Sequence, residues 1–116
     1  METPRLLWTP SETLKNESNL QQYISWLKQN RKLSFTDYHH LWKWSVNHID
    51  EFWESIWSYF NILHDGAYAH VRSSDRMPYT EWFAGTKLNY AEHIFRKATD
   101  QHPAIVFKSE NSSLKN

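Results

Sequence analysis

The sequence predicts a mainly α protein: a small domain of about four helices around an aromatic core, with a short C-terminal strand after it. Three observations predict this. Apolar residues recur at helical spacing through successive segments. Aromatic residues make up 16% of the 116 residues, and seven of them are tryptophans. There is no cysteine, so no disulfide framework can hold the chain and burial must do so. Truncating a buried tryptophan to alanine costs about 3–5 kcal/mol, so a few such residues can hold a domain of this size.

Residues 1–17 read as an arm, because Pro4 and Pro10 oppose regular helix there while Leu6, Leu7 and Trp8 are apolar enough to dock. The first helix is predicted from Ser18 or Asn19, with Leu20, Tyr23, Ile24 and Leu27 on one face and Arg31 and Lys32 at its negative end. The second follows Thr36 as cap, with Asp37 in its first turn. Tyr38, Leu41, Trp42 and Ser45 share its stripe, and Trp44 and Val46 lie to the sides.

The third segment, HIDEFWESIWSYFNI, has the cleanest pattern. Ile49, Phe52, Trp53, Ile56, Trp57 and Phe60 make its apolar face; Asp50, Glu51, Glu54, Ser55 and Ser58 occupy the other. On this pattern Trp53 and Trp57 belong to the core, and Trp8 and Trp44 suit an interface with another domain. Asp65-Gly66 is a turn signal, and residues 66–80 read as loop. A fourth helix is predicted over about Lys87 to Ala98, with Leu88, Ala91, Phe95 and Ala98 facing in. Ala104, Ile105, Val106 and Phe107 read as a buried strand, and the polar tail ENSSLKN as disordered. A strand so near the chain end has no partner in sight, so the chain reads as cut from a longer one.

Lys plus Arg and Asp plus Glu balance at 13 each, and the basic residues are scattered, which argues against a nucleic-acid partner. The N-terminus has no apolar run of signal-peptide length and nothing approaches a membrane span, so the expected location is cytoplasmic with no membrane partner.

The sequence nominates no catalytic, cofactor-binding or metal-ligating residue. Of the seven histidines, His39 and His40 are adjacent and diverge on a helix, and no pair has the i, i+3 or i+4 spacing that aims two imidazoles at one ion. Solvated or helix-end histidines are the plainer reading. Asp75-Arg76 reads as a surface ion pair in a loop. Two glycines cannot build a phosphate cradle. In WFAGTKLNYAE, residues 82–92, Trp82 and Phe83 read as an anchor pinning the loop to the helical domain. Gly85 reads as a turn that permits positive φ or close backbone approach.

That stretch resembles the W-F-x-G-x-x-L-N-Y-A-E signature near the N-terminus of acetyl- and acetoacetyl-CoA synthetases, ATP-dependent acyl-CoA ligases of the adenylate-forming superfamily. YHHLWKWSVNHIDEFWESIWSYF, residues 38–60, is similar to the family's paired helices. LLWTPSETLKNESNLQQYISWL, residues 6–27, is most similar to the acetoacetyl branch, with its W-x-P-S arm and apolar helix. Ala84 stands where the family commonly has proline, and His93 where asparagine is usual.

The resemblance implies an arm at 1–17, a helical N-terminal domain at 18–101, and the start of an adenylation domain at 102–116. That domain, in cis, is the implied partner. The parent reaction would use ATP, magnesium and CoA to convert acetoacetate to acetoacetyl-CoA, AMP and pyrophosphate. The family's nucleotide loop and catalytic lysine have no place in 116 residues, so the chain alone is expected to be inactive. The alternative expectation is a stand-alone helical module that grips a partner through exposed tryptophans.

Overall fold

The computed structural model describes residues 4–110. Five helices lie among them, α1 Glu12–Glu17, α2 Asn19–Arg31, α3 Tyr38–Asn47, α4 Ile49–Tyr59 and α5 Tyr90–Phe95. The described residues hold no named strand, only isolated antiparallel bridges. The chain is mainly α, as expected. Between Tyr59 and Phe60 it divides into two compact units.

In the first unit, α1 lies inside the predicted arm. Pro10 precedes the helix, where it removes no helical donor, and Ser11 caps it by accepting the Leu14 N–H at 3.2 Å. Ser18 caps α2 in the same way, accepting from Gln21 at 3.2 Å. The cap of α3 is Asp37 rather than Thr36. Its carboxylate accepts the His40 N–H at 2.8 Å, and this bond holds the Asp37 pKa below its ordinary 3.8. The Thr36 hydroxyl donates to Asp37 instead, at 3.4 Å.

The core of this unit is Tyr23, Leu27, Leu41 and Trp44, with Ile24, Trp26, Leu33, Phe35, Phe52, Ile56 and Tyr59 packed against it. Two assignments from spacing are reversed. Trp44 is 9% exposed and belongs to the core, whereas Trp53 is 43% exposed. Helix α3 carries bulky apolar residues around most of its girth, so spacing alone does not choose a face. Phe35 and Phe52 choose it by closing on Trp44, with ring centroids at 5.3 and 6.0 Å.

In α4 the buried face carries Phe52, Ser55, Ile56 and Tyr59, rotated by roughly 80° from the predicted stripe at about 100° per residue. Trp57 is half-buried, and Trp53 and Phe60 are exposed. Ser55, assigned to the solvated face, is 1% exposed. Its hydroxyl donates to the Phe52 carbonyl at 2.7 Å and pairs with the Tyr23 hydroxyl at 2.6 Å, which satisfies both buried oxygens. On the rim, Arg31 of α2 pairs with Glu54 of α4 at 2.7 Å and lies over the Trp26 ring.

In the second unit α5 is shorter than predicted and starts at Tyr90, because Asn89 caps it by accepting the Glu92 N–H at 3.2 Å. Leu88, Ala91, Phe95 and Ala98, expected to face in, are exposed. The predicted strand at 104–107 is not formed, and Ile105, Val106 and Phe107 are exposed. A strand needs ladder partners along its length, and among residues 104–107 Phe107 alone takes part in a bridge. The tail beyond Glu110 lies outside the described residues.

Candidate functional site

The signature segment 82–92 draws the second unit together. Lys87 and Asp65 exchange both backbone hydrogen bonds, at 2.9 and 3.0 Å, as an antiparallel bridge. Lys87 therefore belongs to this bridge and not to the helix. A second bridge joins Arg72 to Trp82. Between them Phe83 donates its N–H to the Val71 carbonyl at 2.7 Å and meets Tyr68 edge-on at 5.0 Å. The long loop of the sequence is thus a closed loop, fastened along residues 81–87.

The chain's two glycines meet at the fastening point. Gly66 has φ of +79° and Gly85 of +99°, conformations that L side chains rarely adopt. A Cβ on Gly66 would stand 2.5 Å from the Gly85 carbonyl oxygen, and one on Gly85 would stand 2.6 Å from the Ala67 oxygen. Each position needs glycine twice over, for its φ and for the space. Gly85 is a turn with close backbone approach, as its sequence context suggested. Its contact with Gly66 was not legible, because nothing in the sequence pairs positions 66 and 85.

The same unit ties α5 to the chain before the loop. Arg96 donates to the carbonyls of Phe60 and Asn61 at 2.6 and 2.5 Å, and the Leu63 N–H reaches His93 Nδ1 at 3.4 Å. Beside the Asp65–Lys87 bridge lies an open cleft of about 240 Å³, lined by Leu63, His64, Asp65, Lys87, Leu88, Asn89 and Glu92. Among the described residues no three His, Asp or Glu side chains gather to hold a metal. Asp75 pairs with Arg72 at 2.6 Å, not with its neighbour Arg76. The His48 and His64 rings meet backbone oxygens of Trp44 and Gly66, at 3.3 and 3.1 Å. These contacts shape the chain, and no constellation of nucleophile, base and oxyanion donor is built from them.

Residues 38–94, which include the whole signature segment, match the family described as acetyl-coenzyme A synthetase N-terminus. Over those residues the chain belongs to that family. The chain is 29% identical over 111 residues to the acetoacetyl-coenzyme A synthetase of Rhizobium meliloti, covering 96% of this chain and 17% of that one. It is 31% identical over 108 residues to the acetoacetyl-CoA synthetase of Xenopus tropicalis, covering 91% and 16%. A malonamoyl-CoA synthetase of Penicillium aethiopicum is 30% identical over 114 residues, covering 90% and 15%. Among solved structures, acetoacetyl-CoA synthetase from Streptomyces lividans superposes with a TM-score of 0.75 and 31% identity, over 80% of this chain and 15% of that one. The chain thus spans about a sixth of the length of the curated relatives it matches. Among the described residues no helix is long and apolar enough to cross a membrane.

Proposed function

We propose that the chain is the N-terminal domain of an ATP-dependent acetoacetyl-CoA ligase, with a structural and interdomain role and no catalysis of its own. The observation that carries this reading is the match along nearly the whole chain to acetoacetyl-CoA synthetases several times its length. The parent would run two half-reactions. The acetoacetate carboxylate attacks the α-phosphorus of ATP and releases pyrophosphate; the CoA thiol then displaces AMP from the acyl-adenylate.

The residues in hand do not fit a nucleotide site. Gly66 closes on the Gly85 backbone and Gly85 on that of Ala67, so on this reading a phosphate cradle comes from residues outside this chain. On this reading ATP, magnesium and CoA serve the full-length parent protein. On this reading residues 102–116 begin the adenylation domain, and the exposed Ile105, Val106 and Phe107 await its sheet. The role is that of a soluble cytoplasmic enzyme's leading domain.

The test is acetoacetate-dependent exchange of labelled pyrophosphate into ATP, run on the full-length gene product and on residues 1–116. Exchange is expected only in the former. Acetate and malonamate assayed beside acetoacetate decide the acyl group, since a malonamoyl-CoA synthetase is among the relatives. Exchange by the short chain, or a clear preference for another acid, would overturn the corresponding part of the reading.

A further inference from the structure

The far end of the 65–87 loop is built as a rigid tip. Ser73 donates its N–H to the Glu81 carbonyl at 2.9 Å, and Glu81 donates back to the Ser73 hydroxyl at 2.9 Å. The Thr80 hydroxyl donates to the Arg76 carbonyl at 2.7 Å, the Arg76 N–H reaches the Ser74 hydroxyl at 3.2 Å, and Arg72 holds Asp75. The glycine contact and the Asp65–Lys87 bridge close the base of the loop. Held out from this frame, Met77 is 72% exposed and Tyr79 is 88% exposed.

A loop whose polar groups are already spent on one another gives up little conformational entropy when it docks. Tyrosine and methionine are also enriched where surfaces meet. The Arg72–Asp75 pair neutralises its own charge, and the exposed Met77 and Tyr79 stand beside the opposite charges of Arg76 and Glu81.

We propose that Met77 and Tyr79 are docking anchors that seat this loop on the remainder of the same polypeptide, C-terminal to residue 116. The inference rests on the ligase reading. The chain covers only 15–17% of its relatives' lengths, so most of the surface that such a loop could meet in cis lies outside residues 1–116. Docking within one polypeptide also has the advantage of high effective concentration.

The test places a photoreactive residue, Tyr79→p-benzoylphenylalanine, in the full-length protein and maps the cross-links by mass spectrometry. The unmodified protein is footprinted with hydroxyl radicals at Met77, native and in urea. The expected result is a cross-link to a peptide beyond residue 116 at monomer mass, with Met77 oxidised at least tenfold more slowly in the native protein. A cross-linked dimer would assign the tip to a second copy and overturn the proposal. So would oxidation of Met77 at the unfolded rate with no cross-link, which leaves the ligase reading standing. Pyrophosphate exchange on the same preparation checks that reading separately: a cross-link without acetoacetate-dependent exchange overturns the activity and keeps the dock.

Discussion

The Ser55 hydroxyl sits between two buried neighbours, donating to the Phe52 carbonyl and accepting from Tyr23. The two partners are not equivalent. Ser55→Ala strands the Tyr23 hydroxyl in the core and is expected to cost about 1–3 kcal/mol. Tyr23→Phe leaves Ser55 bonded to Phe52 and should cost less, about 1 kcal/mol. Urea unfolding of both variants checks the order, and equal losses would mean that Ser55 holds Tyr23 by packing alone. Burial raises the Tyr23 pKa above its ordinary 10.0, against lowering by Ser55 and Arg31. Above pH 10 the folded state therefore keeps a proton that the unfolded chain releases, so this contribution is intact below pH 10 and is lost as pH rises through the folded value. Tyr23→Phe should flatten that alkaline decline, and an unchanged slope would assign it to other groups. The buried serine was not legible in the sequence. Spacing counts serine as polar, and what buries it is a tyrosine on another helix.

At the scale of elements, α2, α3 and α4 of the first unit were legible, whereas α1 was read as arm and the buried faces were not legible. Serine and aspartate caps and regular apolar recurrence place α2, α3 and α4 within a residue or two. Where aromatic residues surround a helix, the neighbours that close on it decide which side is buried. Trp44→Ala is accordingly expected to cost about 3–5 kcal/mol, and Trp53→Ala about 1 kcal/mol or less. The reverse order of melting temperatures would place the core on the other side of α3. In the second unit the glycine contact makes a different prediction. Gly66→Ala and Gly85→Ala should each cost more than about 1 kcal/mol, since φ is positive and a backbone oxygen fills the Cβ position. One substitution already parts the two backbones, so the double variant should fall short of the sum by at least about 0.5 kcal/mol. Strict additivity in the cycle would show that the two glycines act independently.

For the whole molecule, the residues of the second unit are held by backbone bridges, side-chain hydrogen bonds and the Tyr68–Phe83 contact. None of its described residues is buried. Its exposed apolar side chains, Leu88, Ile94, Phe95, Ile105 and Val106 among them, suit a surface that other protein covers. The signature that carries the family resemblance closes a loop and caps a helix. The central claim is that this chain is one domain of a larger ligase, and the size of the native product tests it most directly. An immunoblot of source-cell lysate, with an antibody raised to residues 1–116, should show a band several times heavier than 14.0 kDa. A single native band at 14 kDa would contradict the account and would mean that the chain acts alone.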